Sequence, residues 1–142
     1  MVRKAALMLM VAAVPAHAAS GPWEKYATFN LVCTGTDSTW TRQGLGMKDK
    51  TEKPFAITYR VDLGSKRFCS GDCTLTKALV EVAETTITFE KDETPAILAD
   101  TVAMVQRETG RYIYRARFGD FINLREATCE RAPFSGFPTR KF

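Results

Sequence analysis

From residue 29 onward, apolar and polar positions alternate with a period of two over most of the chain. This is the spacing of a strand with one face buried and the other in water. The clearest run is 55–63, where Phe55, Ile57, Tyr59, Val61 and Leu63 share one side and Thr58, Arg60 and Asp62 the other. Phe29, Leu31 and Cys33 repeat the pattern up to Gly35. The same reading predicts strands at 67–69, 79–83, 86–90, 101–107, 111–118 and 121–130, about eight in all. Gly64-Ser65-Lys66 and Gly119-Asp120 read as turns. Glu108-Thr109-Gly110 is a three-residue connection with glycine where a bulged hairpin needs positive φ. No long segment keeps a 3.6-residue period. The pattern predicts an all-β fold, a small up-and-down barrel or a closely related sandwich, in one domain over 19–142.

Three stretches depart from the alternation. Segment 36–54 is polar, with Trp40 inside it and a charged run from Lys48 to Lys53, and it reads as a long loop. Segment 90–95 reads as an acidic turn carrying Glu90, Asp92 and Glu93. The tail 132–142, with Pro133, Gly136 and Pro138 among Phe134 and Phe137, reads as irregular. Long loops in compact domains often carry function.

Residues 1–18 have the layout of a removable secretory leader: Arg3 and Lys4, an apolar run over 5–14, Pro15, then Ala16-His17-Ala18 as a small-x-small cleavage site. The run is too short to span a bilayer as a helix, and no longer apolar run follows. Cleavage lowers the formal charge from +4 by two and removes His17, the single histidine of the 142 residues. Without imidazole, Ser-His-Asp and Cys-His catalysis and imidazole-based metal sites are excluded.

The four cysteines lie beyond the leader, and an even number in an exported chain reads as disulfides. Of the three possible pairings, the favoured one joins Cys69 to Cys73 across Ser70-Gly71-Asp72 and leaves Cys33 for Cys129. That second bridge ties the first predicted strand to the last. A redox CxxC or a four-thiolate zinc site does not match these spacings. The residues imply no metal and no cofactor.

Candidate contact residues are Trp40 with Arg42 in the 36–54 segment, and Arg111 with Tyr112 at the start of an aromatic and basic strand. That strand puts Tyr112, Tyr114 and Phe118 on one face and Arg111, Arg115 and Arg117 on the other. Tryptophan and arginine are common interface anchors. The small net charge argues against a nucleic-acid partner. The carboxylates lack the spacing of a calcium loop, so catalysis would have to use Asp or Glu with Tyr or Lys.

The segments Leu31-Val32-Cys33-Thr34-Gly35-Thr36, Tyr59-Arg60-Val61-Asp62-Leu63, Arg67-Phe68-Cys69-Ser70-Gly71-Asp72-Cys73 and Arg107-Glu108-Thr109-Gly110 resemble a family of small exported alphaproteobacterial proteins. That resemblance implies a periplasmic setting and brings no mechanism. A second likeness is to the bacterial inhibitors of c-type lysozyme, exported eight-stranded barrels whose first and last strands share a disulfide. Gly110-Arg111-Tyr112 is similar to part of their inhibitory segment, and Phe118-Gly119-Asp120 supplies a Gly-Asp without the preceding lysine. Taken together, the expectation is a non-enzymatic periplasmic or secreted binding protein, monomeric or weakly dimeric. It would engage a protein partner through loops at one barrel end. The alternatives are a carrier of a small apolar ligand in a barrel cavity and a carboxylate-based hydrolase.

Overall fold

The computed structural model describes residues 28–95 and 99–139. The expected leader, with His17, lies outside the described residues. Among the described residues, nine antiparallel strands form one sheet: β1 (Thr28–Gln43), β2 (Gly46–Asp62), β3 (Arg67–Ser70), β4 (Lys77–Ala78), β5 (Glu81–Val82), β6 (Thr86–Thr94), β7 (Ala99–Gln106), β8 (Arg111–Phe118) and β9 (Phe121–Ala132). Their spatial order is β4-β3-β2-β1-β9-β8-β7-β6-β5, so the first strand lies beside the last. The sheet curls into a half-barrel.

Alternation is what curls it. Phe29, Leu31 and Cys33 of β1 face Tyr59 and Val61 of β2 and Cys129 and Ala127 of β9, all buried on the concave side. Aromatic rings then fill that interior from both arms of the sheet. Tyr59 of β2 stacks on Phe89 of β6 with centroids 4.3 Å apart, and Phe68 of β3 meets Phe89 edge-on at 5.1 Å. A bulge between Thr88 and Glu90 turns both Phe89 and Glu90 inward, since Glu90 opposes the buried Ala103. Cys33 and Cys129 are direct cross-strand neighbours and form a disulfide; Cys69 and Cys73 form the second. The pairing expected from the sequence is the one present.

The strand read at 79–83 is replaced by two short strands, β4 and β5, halves of one segment over 77–82. Its first half pairs with β3 and its second with β6. Between them, Leu79 N donates to Lys66 O at 2.8 Å and Val80 N to Thr88 O at 2.9 Å. The two margins of the sheet are therefore bridged at this end. Beyond it they separate. β3 covers only residues 59–62 of β2, and β5 covers only 87–88 of β6.

That geometry corrects two expectations. The 36–54 segment is no loop: Thr36 to Thr39 pair with Pro54 to Thr51, and Gln43 opposes Gly46 across the turn Gly44-Leu45. Gly44 has φ +59, as the first turn position of a two-residue hairpin with Gly-X requires. The segment is polar because it runs past the bridged end, where β2 is an uncovered edge. Charges and a proline on such an edge block pairing with other chains. The acidic run Glu90–Glu93 is likewise strand, part of the uncovered margin of β6, and not a turn. Over 133–139 the tail is irregular, as expected, and it crosses the outer face. Asn30 Nδ2 donates to Ser135 Oγ, Arg60 Nη1 to Gly136 O, and Arg67 sits over the Phe137 ring.

Candidate binding surface

Where the apolar interior gives out, the concave face becomes polar. Asp37 of β1, 5% exposed, opposes Arg125 of β9 and Lys53 of β2. Its Oδ2 lies 3.2 Å from Arg125 Nε and 3.8 Å from Lys53 Nζ, while Asn123 Nδ2 donates to Oδ1. Arg125 also lies over the rings of Phe55 (5.2 Å) and Tyr114 (4.7 Å). A carboxylate so enclosed fixes the register of β1 against β9 and leaves neither oxygen aimed at a reactant.

The other ionisable groups of the interior are equally engaged. Tyr59 and Tyr112 share a hydrogen bond of 2.7 Å between hydroxyls. Desolvation drives both phenols above their ordinary range, so they stay neutral. Glu90 is paired with Lys77 at 3.1 Å. Asp92 and Glu93, adjacent on β6, point to opposite faces. Among the described residues no three of His, Cys, Asp and Glu gather as a metal site.

The open end of the half-barrel differs in character. Two turns meet there: Gly44-Leu45 joining β1 to β2, and Gly119-Asp120 joining β8 to β9, with Gly119 at φ +56. Arg42 N donates to Asp120 O at 2.8 Å and ties the first hairpin to the second. Four large apolar side chains stand exposed around these turns: Leu45, Met47 at 64%, Phe118 at 59% and Phe121 at 46%. Phe118 and Phe121 are direct cross-strand partners, and Phe121 in turn opposes Thr41. Isolated exposed apolar residues are ordinary; here four stand in or beside two adjoining turns.

The four residues singled out from the sequence do not converge. Trp40 and Arg42 belong to this end, Trp40 half-buried opposite Ile122 on the outer face and Arg42 exposed. Arg111 lies at the far end of β8, paired with Glu126 at 3.1 Å. Tyr112 is 1% exposed and belongs to the core, so it offers no surface for a partner. It is also the tyrosine of the Gly110-Arg111-Tyr112 segment. Leu45, Met47 and Phe121 escaped sequence reading because they sit in or beside turns, where alternation carries no signal. The arginine row of β8 lies on the outer face as expected.

At the bridged end a cavity of about 230 Å³ opens beside the β7–β8 turn. Phe29, Leu31, Ile87 and Val105 line its floor, and Arg107 and Arg131 its mouth. Arg107 Nη1 donates to Ala83 O, and Arg131 lies 4.4 Å from the Phe29 ring centroid. Burial and the neighbouring Arg131 charge lower the Arg107 pKa. No family model matches the chain, and no curated protein or solved structure shows significant similarity to it.

Proposed function

We propose that the chain is an exported, non-catalytic binding protein of the periplasm or extracellular space, and that it engages a protein partner through the open end of the half-barrel. The carrying observation is the exposure of Leu45, Met47, Phe118 and Phe121 around two turns held together by the Arg42–Asp120 hydrogen bond. Such a group, with Trp40 and Arg42 on the outer face of the same end, supplies the apolar and arginine residue types common at protein interfaces. Two disulfides suit an oxidising compartment. The enclosed state of Asp37, Tyr59 and Tyr112 favours binding over catalysis. The test is capture from periplasmic extract, with chain 19–142 as bait beside its Leu45→Ser/Phe118→Ser variant. A specific partner should be recovered with the first and lost with the second; equal recovery would refute the assignment of the surface.

The cavity beside the β7–β8 turn favours a second reading, a carrier of a small apolar molecule. Its floor is apolar, and its volume is slightly below the usual range of about 300–1,000 Å³ for ligand pockets. Native mass spectrometry of the purified chain would show a retained small molecule on this reading and the bare protein mass on the first.

A further inference from the structure

Across the outer face of the open end, Glu93 of β6, Asp100 of β7, Arg117 of β8, Ile122 of β9 and Trp40 of β1 are successive cross-strand neighbours. Asp100, whose side chain is 18% exposed, anchors two arginines: Arg115 Nη2 lies 2.8 Å from Oδ2, and Arg117 Nε 2.8 Å from Oδ1. The Arg117 contact is an ion pair without hydrogen-bond alignment. It leaves both buried atoms with hydrogen-bonding capacity unfilled among the described residues. Arg42 approaches from β1, and with Ile122 these residues line a cavity of about 160 Å³.

We propose that this cavity is a binding site for a phosphate group, held by Arg42, Arg115 and Arg117. Size and charge both point there. A cavity of about 160 Å³ has room for a group as small as a phosphate. Three guanidinium groups against the one carboxylate lining the cavity leave an excess of two positive charges. A phosphate monoester carries about −1.5 to −2 near neutral pH, whereas a carboxylate carries only one charge. Glu93 lies on the far side of Asp100, is exposed and does not line the cavity. Asp100 has a second role: it holds the forks of Arg115 and Arg117 in place, so less side-chain freedom is lost on binding. Arg115 and Arg117 of β8 are thus parts of an assembled site rather than of a merely solvated face. The source of the phosphate, a free monoester or a lipid headgroup, is left to the experiment.

The site shares Arg42 with the border of the proposed partner surface but is read on the isolated protein, with no partner present. Chain 19–142, labelled with 15N, is titrated with inorganic phosphate and with glycerol 3-phosphate against sodium chloride at matched ionic strength. The amides of Arg42, Asp100, Arg115, Arg117 and Ile122 should shift together and saturate. Arg42→Gln, which removes an exposed side chain outside the Asp100 ion pairs, should weaken binding about tenfold, the loss of one hydrogen bond to a charged group. Arg117→Gln should abolish saturation. Shifts no larger than those in chloride, or full binding by Arg42→Gln, would overturn the proposal. Cosedimentation with phosphatidic-acid vesicles but not phosphatidylcholine vesicles, lost in Arg42→Gln, would identify a lipid headgroup. Saturation by the soluble monoester without cosedimentation would identify a free phosphate. Failure of both arms would again overturn it.

Discussion

Replacing Cys33 and Cys129 together by alanine should be far more damaging than replacing Cys69 and Cys73. The first bridge closes a loop of 96 residues and the second a loop of 4. On the chain-entropy model these constrain the unfolded chain by about 4.7 and about 1.9 kcal/mol. All four cysteines are buried, so alanine also loses sulfur packing in both variants, by about 1 kcal/mol, and the difference between them rests on the loop length. For a domain stable by about 5–15 kcal/mol, the first change removes at least a third of the total. Urea denaturation of the two double variants and the parent gives the comparison. The Cys33/Cys129 variant should unfold at a much lower midpoint and with a larger m-value, because its unfolded chain is no longer looped. Equal losses in the two variants would refute the entropic reasoning and place the stabilisation in local packing.

Three further outcomes follow from the same geometry. Gly110→Ala should cost about 3 kcal/mol, because Gly110 has φ +70 and an added Cβ would lie within 2.4 Å of Cys129 O. Gly44→Ala, at φ +59 with open space around it, should cost only about 1 kcal/mol; thermal unfolding of both checks the difference. Tyr59→Phe strands the buried Tyr112 hydroxyl and should cost about 1–3 kcal/mol, with the Tyr59→Phe/Tyr112→Phe pair costing less than the sum in a double-mutant cycle. Because both phenols titrate above their unfolded value of about 10, their neutral forms contribute fully below that pH. Stability should then fall as pH rises beyond about 10, and absorbance at 295 nm should show two tyrosines ionising only as the chain unfolds.

The strands that cross the core were legible in the sequence because burial on one face imposes alternation: Phe55 to Leu63, Phe29 to Cys33 and Arg111 to Phe118 all lie as that pattern requires. The bridge between Cys33 and Cys129 followed from placing cysteines on the first and last strands. What escaped was structure without a buried face. Residues 36–54 form paired strand yet run past the core, so no apolar period marks them. The break at Leu79–Val80 arises because one segment serves both margins of the sheet, a tertiary demand that residues 77–82 do not announce. The candidate surface was half legible. Trp40 and Arg42 stood out by residue type, whereas Leu45, Met47 and Phe121 gain meaning only once two distant turns meet. Tyr112 was misjudged for the opposite reason: its face of β8 is the buried one, and Tyr59 waits there.

Site-specific photo-crosslinking in the living cell tests the central proposal most directly. A photoreactive residue at Leu45 or Phe121 probes the open end, and one at Leu75 or Val80, exposed at 64% and 53% elsewhere, serves as the control. One common adduct is expected from Leu45 and Phe121 and none from Leu75 and Val80. Equal adducts at all four positions, or none at the open end, would contradict that proposal.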